Sequence, residues 1–154
     1  MSTTADTSHA DVLNIRPATL ADSASVFSVL QELHAMGYAP DRASFDDSFA
    51  ALVADDSSSF MLVAEDAGGA LLGYALTTIS PLLHTSGSSA QLQELAVADA
   101  HRGHGVGTGL MEAVERICRE RNVRQLLVPS RRSADFYERL GYRSTADLLK
   151  RTFD

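Results

Sequence analysis

The apolar residues of this 154-residue chain follow a helical spacing in three segments. A first helix, with Thr19 or Asp22 at its N-terminus, carries its apolar face at Ala24, Phe27, Leu30 and Leu33. A second helix is predicted over about 44–54, with apolar positions at Phe45, Phe49, Leu52 and Val53. The clearest helical pattern runs over about 108–121 and buries Leu110, Met111, Val114, Ile117 and Cys118.

Between these helices the spacing changes to the short apolar runs and alternation that are typical of strands. Five strands are predicted at about 13–16, 60–64, 71–79, 92–97 and 125–128. A hairpin turn at 66–69 joins the second and third, and a linker with Pro81, His84 and Gly87 precedes the fourth. A short helix follows over about 133–140 with Gly141 as its C-cap, and a final hairpin is predicted from residues 142–143 and 148–153.

The order of these elements is β-α-α-β-β-β-α-β-α-β-β, which predicts an α/β fold with one mixed sheet and helices on both faces. Residues 1–12 are small and polar, with no apolar segment of the kind found in signal peptides, and they predict a disordered leader. Residues 13–154 are predicted to form a single domain, because this length is sufficient for one substantial core.

Composition narrows the classes of partner that such a domain can bind. The net charge is −7 and no basic stripe is visible, which argues against a general nucleic-acid-binding protein. The apolar runs are too short to span a membrane, and a single cysteine, Cys118, excludes an internal disulfide framework and a cysteine-rich zinc site. We therefore expect a cytoplasmic protein with no nucleic-acid, membrane or metal partner.

The most informative segment is a glycine-rich turn between the fourth strand and the long helix, which reads Arg102-Gly103-His104-Gly105-Val106-Gly107. Three glycines bring bare backbone to a helix N-terminus, where N–H groups point outward and the helix dipole adds partial positive charge. A turn of this kind binds anions, so the segment predicts a ligand that carries phosphate.

Two common nucleotide-binding motifs do not fit this turn. A dinucleotide loop has G-x-G-x-x-G after the first strand, but here Leu110 replaces the third glycine and the turn lies two-thirds along the chain. A Walker loop ends in G-K-S/T, but the only lysine of the protein is Lys150. His101 and His104 have the spacing of a metal pair, but no third ligand is visible, so His104 is interpreted as a loop residue near the phosphate.

The pattern R-x-x-G-x-G, carried by Arg102, Gly105 and Gly107, resembles the pyrophosphate loop of GNAT-type N-acetyltransferases. Residues 92–97 resemble the fourth strand of that family, and residues 133–142 resemble its F-Y-x-x-x-G-F/Y motif. Residues 15–22 are similar to the family's first strand and helix start. The matches cover nearly the whole chain after residue 12 in the same order, and they imply transfer of an acetyl group from acetyl-CoA to an amine.

The resemblance implies a set of residues that bind acetyl-CoA. The guanidinium of Arg102 and the backbone N–H groups of the turn would hold the pyrophosphate, at Gly103, His104, Gly105, Val106, Gly107 and Thr108. The fourth and fifth strands of the family splay apart, so the backbone of Leu95, Ala96 and Val97 would contact the pantetheine arm. Ser130 stands where the family often has an asparagine that contacts pantetheine; Arg131 and Arg132 lie near the CoA 3′-phosphate or are a solvated basic pair.

Two residues are candidates for proton transfer. An amine must lose its proton before it attacks, because an alkylammonium pKa of ~10 leaves little neutral amine at pH 7. Glu94, in the strand beside the acetyl site, is the candidate base, and alternatively it only binds the ammonium or faces solvent. Tyr137 matches the family tyrosine that donates to the departing CoA thiolate, and the alternative is an aromatic ring packed under the short helix.

The identity of the acceptor amine stays open in the sequence. The segments expected to contact it are 33–45 and 80–90, and the candidate residues are His34, Tyr38, Asp41, Asp46 and Asp47. A small polyamine or amino acid, an aminoglycoside, a protein N-terminus and a lysine side chain are all compatible. Two other hypotheses are a domain that binds acyl-CoA without catalysis and a structural homodimer without cofactor. We expect self-association, since the family often pairs through sheet edges and C-terminal strands.

Overall fold

A computed structural model of the chain describes residues 13–33, 40–130 and 134–153. Its strands are Asn14–Pro17 (β1), Ser59–Glu65 (β2), Leu71–Leu82 (β3), Gly87–Val97 (β4) and Val123–Leu127 (β5). They form one sheet in the order β1-β2-β3-β4-β5, with β5 parallel to β4 and all other neighbours antiparallel. The predicted α/β fold with a mixed sheet is confirmed, whereas the predicted leader, residues 1–12, lies outside the described residues.

Helices cover both faces of the sheet, as predicted. Helices α1 (Ser23–Gln31) and α2 (Arg42–Ala54) share one apolar cluster with β2 and β3, centred on Val26, Phe49 and Tyr74. Helices α3 (Val106–Glu120) and α4 (Ala134–Arg139) belong to the cluster on the other face, which includes Leu110 and Val114. In the part of the chain that the structure describes, no helix is long and apolar enough to cross a membrane.

Helix α1 begins directly after Asp22, one of its two predicted N-terminal residues, whereas α2 begins at Arg42, two residues before its predicted start. The carboxylate of Asp41 caps α2 by accepting from the backbone N–H of Ser44 at 2.9 Å. The apolar face of α1 differs from the prediction, because Val26 and Val29 are buried while Ala24 is exposed. Ala24 precedes Val26 by two residues, which is ~200° of helical rotation, so the two side chains cannot face the sheet together.

An ion-pair network fastens β1 to the start of the first helical segment. The guanidinium of Arg16 donates to both carboxylate oxygens of Asp22 at 2.8 Å and to Glu65 at 3.1 Å. Asp22, in a short 3₁₀ turn at Leu20–Asp22, is buried and also accepts from the backbone N–H of Thr19 at 2.8 Å. Hydrogen bonding to Arg16 holds the pKa of Asp22 below its ordinary value.

We expect Asp22→Asn to lower the free energy of unfolding by about 2 kcal/mol at pH 7, because hydrogen bonds to a charged group are lost. Since the folded pKa of Asp22 is depressed, its stabilisation is present above the unfolded pKa of ~4 and is lost as the pH falls through the folded value. Urea unfolding from pH 7 to pH 3 measures this, with exposed Asp47→Asn as the control. A variant as stable as the wild type at pH 7 would contradict the assignment.

The segment predicted as a linker before β4 is instead a hairpin. β3 and β4 pair antiparallel as far as Leu82 and Gly87, and only a short turn separates them. Pro81 is tolerated in β3 because the pairing with β2 ends at Thr78, which lies opposite Ser59, so this end of β3 has a strand on one side only. The predicted linker is therefore wrong, whereas the contact of residues 80–90 with the acceptor stays a prediction.

The final hairpin is also predicted wrongly. The described residues from Tyr142 onward contain no strand, so β5 is the edge of the sheet. Leu148, Leu149 and Phe153 are 73%, 91% and 84% exposed. A two-stranded hairpin needs an apolar surface to cover, and the described part of this chain supplies none to the tail.

Candidate active site

The glycine-rich turn has the backbone geometry that its sequence requires. Gly103 and Gly105 have φ of +79° and +83°, a region that side-chain-bearing residues rarely adopt, and Gly105 is the N-cap of α3. The first N–H groups of any α-helix lack an intrahelical acceptor, and Gly105 has no side chain that could accept from them. In α3 these groups therefore stay available to an anion. These groups belong to Val106, Gly107 and Thr108.

The side chain of Arg102 contacts the residues that lead into the turn. Its Nη2 lies 2.9 Å from the carboxylate of Asp99, and its Nε donates to the carbonyl of Val97 at 3.3 Å. The side chain is 55% exposed, and a guanidinium has five donors, so N–H groups remain for a phosphate oxygen. Arg102 therefore links the end of β4 to the turn while keeping donors in solvent.

Gly107 is the point where the turn meets α4. A Cβ atom at this position would lie 3.3 Å from Cζ of Phe136 and 3.9 Å from Cγ2 of Val97. The φ of Gly107 is not positive, so this glycine is needed for close approach and not for backbone freedom. The end of β4, the start of α3 and the start of α4 thus converge at one place.

A gap opens between β4 and β5 beside this turn. The two strands pair only from Ser88 to Gln91 on the β4 side. Beyond Gln91, β4 continues to Val97 without pairing with β5. Within the described residues, the backbone of Leu95, Ala96 and Val97 therefore has a strand neighbour on its β3 side only. The predicted splaying of the central sheet is confirmed, and it leaves an edge to which an extended ligand can add.

Tyr137 lies on α4, in the apolar cluster beneath the turn. It is 9% exposed, and its ring packs edge-on against Phe136 at 5.0 Å and against Tyr142 at 5.9 Å between centroids. Burial raises the pKa of the Tyr137 phenol, so its proton is retained at neutral pH and can be donated. Tyr137 can therefore serve as a donor to the CoA thiolate or as a packing residue under α4. Its ring packs in the core, and its phenol is a protonated donor.

A β-bulge decides where Glu94 points. Leu92 pairs with Thr77 and Glu94 pairs with Leu76, so Gln93 is an extra residue in β4. Leu92 belongs to the cluster under α3, whereas Glu94 faces α1 and α2. A regular strand would have placed both side chains on one face, because residues two apart point the same way.

Glu94 has a partner that the sequence did not reveal. The hydroxyl of Tyr74, in β3, donates to the Glu94 carboxylate at 3.0 Å. Tyr74 is 2% exposed, and burial together with the Glu94 charge raises its pKa, so it remains a donor. The signal in the sequence is weak, because the pairing depends on the bulge that sets the β3–β4 register.

A cavity of about 70 Å³ opens beside this pair, between the sheet and helices α1 and α2. Its polar lining groups are Ser48, Tyr74 and Glu94. Its apolar walls come from Val26, Leu30, Phe45, Phe49, Leu52 and Met61. We call this space the α1–α2 cavity. The one carboxylate in its described lining is that of Glu94, which is exposed to solvent.

The remaining sequence candidates that the structure describes do not line the α1–α2 cavity. Ser130 is exposed in the loop after β5, and His104 is exposed in the glycine turn. Asp41 caps α2 and Asp46 pairs with Arg42 at 3.0 Å, so neither faces the cavity. Four predicted residues lie outside the described part of the chain, namely His34, Tyr38, Arg131 and Arg132.

Cys118 and the acidic and histidine side chains are the remaining groups that could act as a nucleophile or hold a metal ion. Burial raises the pKa of the Cys118 thiol, which favours a core residue over a nucleophile. Among residues 13–33, 40–130 and 134–153, no group of three His, Cys, Asp or Glu side chains is arranged to hold a metal ion.

Comparison with known proteins agrees with this geometry. The model of the acetyltransferase (GNAT) family matches residues 26–142. A transcriptional regulator from Bacillus halodurans is 24% identical, with a TM-score of 0.83 over 92% of this chain and 99% of that chain. Glucosamine-6-phosphate N-acetyltransferase from Arabidopsis thaliana is 18% identical, with a TM-score of 0.80 over 94% of this chain and 100% of that chain.

A third similar structure, a predicted acetyltransferase with acetyl-CoA from Clostridium acetobutylicum, is 17% identical, with a TM-score of 0.75. It covers 92% of this chain and 96% of that chain. No curated protein matches the sequence. At these identities the structural likenesses show the shared fold alone.

Proposed function

Because this chain belongs to the acetyltransferase (GNAT) family, we propose that it transfers the acetyl group of acetyl-CoA to a primary amine. The observation that carries the proposal is the gap between β4 and β5, which lies beside the glycine turn at the N-terminus of α3. An unpaired strand edge and an anion-binding helix terminus at one place suit a ligand that has both an extended amide chain and a pyrophosphate.

The residues around the gap fit acetyl-CoA. Backbone N–H groups from Gly103 to Thr108 would hold the pyrophosphate, and Arg102 would add a charge-assisted contact. The free edge of β4 at Leu95, Ala96 and Val97 would pair with the pantetheine amides. Ser130 would contribute a hydroxyl from the loop after β5. A Cβ at Gly107 would narrow the place where these elements converge.

Glu94 is the proposed base. When bound, acetyl-CoA would supply a thioester carbon. The amine nitrogen forms the new C–N bond and releases its second proton to solvent as the amide forms, while the C–S bond breaks and CoA leaves as a thiolate that Tyr137 protonates; solvent then reprotonates Tyr137. Glu94 takes the proton that the ammonium must lose, directly or through one water. The hydrogen bond from Tyr74 holds the carboxylate in one orientation on the α1–α2 side of β4. Tyr74 acts on Glu94 and is a positioning residue.

Tyr137 is the proposed donor to the departing sulfur. We expect Tyr137→Phe to lower kcat by about 10²-fold, because a protonated donor to the thiolate is removed while the ring packing is kept. Steady-state kinetics and thermal unfolding measure the two effects separately. If the variant kept full turnover, Tyr137 would have a packing role only.

The test of the proposed function is direct detection of product. The full chain is incubated with acetyl-CoA and a panel of primary amines, and mass spectrometry detects the acetylated amine while free CoA is titrated. Calorimetry with acetyl-CoA reports binding independently. Micromolar binding without any acetylated amine would replace the proposal with a non-catalytic acyl-CoA-binding domain. A lack of binding would overturn both and would leave a structural role.

We also propose that two copies associate through the tail and the β5 edge. The tail exposes Leu148, Leu149 and Phe153, and exposed apolar groups close together mark interaction surfaces. The free edge of β5 offers unpaired backbone groups to a second chain. The cytoplasmic location stays a prediction.

Replacing Leu148, Leu149 and Phe153 together by serine is expected to convert a dimer into a monomer. The molar mass of the full chain is measured by light scattering at a concentration of about 10 μM, which is within reach of interfaces of ordinary affinity. Leu83→Ser is the matched control, since Leu83 is equally exposed but lies in the β3–β4 turn. A wild-type chain of monomeric mass would contradict the proposal.

A further inference from the structure

The α1–α2 cavity has charge on one side and hydrocarbon on the others. Its walls come from Leu30 in α1, Phe45 and Phe49 in α2, and Met61 in β2. Among the described residues that line it, Glu94 is the only carboxylate, and the hydroxyl of Tyr74 already donates to Glu94. The volume of about 70 Å³ is several times the ~10–15 Å³ that one water needs, so a small organic group can enter.

This asymmetry constrains the amine. An ammonium group can pair with Glu94, but a second ammonium on the same molecule would enter an apolar space without a counter-ion, which is strongly unfavourable. The acids at the start of α2 do not supply that counter-ion, since none of Asp41, Asp46 and Asp47 lines the cavity. The many hydroxyls of a sugar would likewise find few partners, because Ser48 is the only polar side chain besides Tyr74 and Glu94 in the described lining.

We infer that the acceptor is a compact monoamine with an apolar body, which fills the α1–α2 cavity and presents its amino group to Glu94. The inference rests on the acetyl transfer proposed above and specifies the substrate class that the sequence left open. Of the alternatives compatible with the sequence, it disfavours polyamines and aminoglycosides, because both carry several ammonium groups. An aliphatic or arylalkyl amine of a few carbons has the required chemistry.

The sharpest test compares n-butylamine with 1,4-diaminobutane. The two molecules have the same carbon chain and differ in one distal ammonium group, so any difference in kcat/KM reports that group alone. We expect n-butylamine to be preferred on the order of 100-fold, the discrimination available when a buried polar group is left unpaired. Equal kcat/KM for the two amines, or preference for the diamine, would overturn the inference.

A charge added to the cavity should reverse part of this preference. Ser48 is exposed and lines the cavity, so Ser48→Asp places a second carboxylate there without removing a core side chain. We expect the ratio of kcat/KM for 1,4-diaminobutane over n-butylamine to rise at least about 10-fold, as an unpaired charge gains a partner. Ala50→Asp is the matched control, because Ala50 is exposed on the same helix but does not line the cavity. Equal changes in both variants would contradict the inference.

Failure of the proposed function and failure of this inference give different results. Binding of each amine to the full chain is followed by NMR in the presence of CoA, so that it is measured without turnover. If no amine is acetylated but n-butylamine binds more tightly than the diamine, the transfer proposal fails and the cavity assignment stands. If amines are acetylated but the diamine binds as well as n-butylamine, the transfer proposal stands and the cavity assignment fails.

Discussion

Glu94→Gln is expected to lower kcat by about 10²- to 10⁴-fold, the range that a positioned general base contributes. The amide keeps the size of the carboxylate, and its oxygen can still accept the hydrogen bond that Tyr74 donates at 3.0 Å. The fold around β4 should therefore persist while the proton acceptor is lost. Initial rates with n-butylamine at saturating acetyl-CoA measure the effect, and thermal unfolding verifies the fold.

The pH dependence separates the two roles that Glu94 can have. If Glu94 is the base, raising the pH toward the alkylammonium pKa of ~10 supplies neutral amine directly, and the deficit of Glu94→Gln should shrink. If Glu94 only binds the ammonium, KM should rise while kcat stays close to the wild-type value. Glu112→Gln is the matched control, since Glu112 is an exposed carboxylate on α3. Full activity of Glu94→Gln at pH 7 would exclude both roles.

Gly105→Ala is expected to weaken acetyl-CoA binding about 10- to 100-fold. Gly105 has φ +83°, and a side-chain-bearing residue there costs ~1–2 kcal/mol or shifts the backbone. A shift at the N-cap of α3 would redirect the N–H groups of Val106 and Gly107, which we propose donate charge-assisted hydrogen bonds to the pyrophosphate. Isothermal titration calorimetry with acetyl-CoA measures the change.

The chain contains a matched control for the backbone strain itself. Gly69, in the β2–β3 turn, has φ +84°, and a Cβ at either Gly69 or Gly105 would meet no atom within 4 Å. Gly69→Ala should therefore lose similar stability in thermal unfolding but bind acetyl-CoA as the wild type does. Equal affinity in Gly69→Ala and Gly105→Ala would show that the geometry of the glycine turn does not determine cofactor binding.

Local signals in the sequence predicted most of the elements. These predictions are confirmed for features that depend on residues close together in the chain. The helix predicted at about 108–121 is α3 at Val106–Glu120, because its apolar stripe and glycine start are short-range features. Gly141 ends α4 with φ +96°, as its position after the apolar pattern predicts. The splayed sheet came from the family resemblance and not from the residues alone.

The predictions that failed depend on contacts between distant segments. Pro81 looked like a linker residue, but a proline is accepted at the end of β3 because β2 no longer pairs there. The tail pattern looked like a hairpin, but strands form only where they find a partner, and the described tail has none in its own chain. In both cases the neighbouring element, and not the local pattern, decides the outcome.

The sequence by itself determined the glycine turn, the order of the elements as far as α4 and the presence of a carboxylate at position 94, because each depends on residue type and spacing along the chain. Only the tertiary structure decided the face on which Glu94 lies, since one bulged residue in β4 reverses the alternation. It also decided that Tyr74 holds Glu94, and that six apolar side chains from α1, α2 and β2 enclose the space beside them. A cavity is made of surfaces that meet only after folding, so its chemistry, and with it the class of the acceptor, is absent from any local pattern.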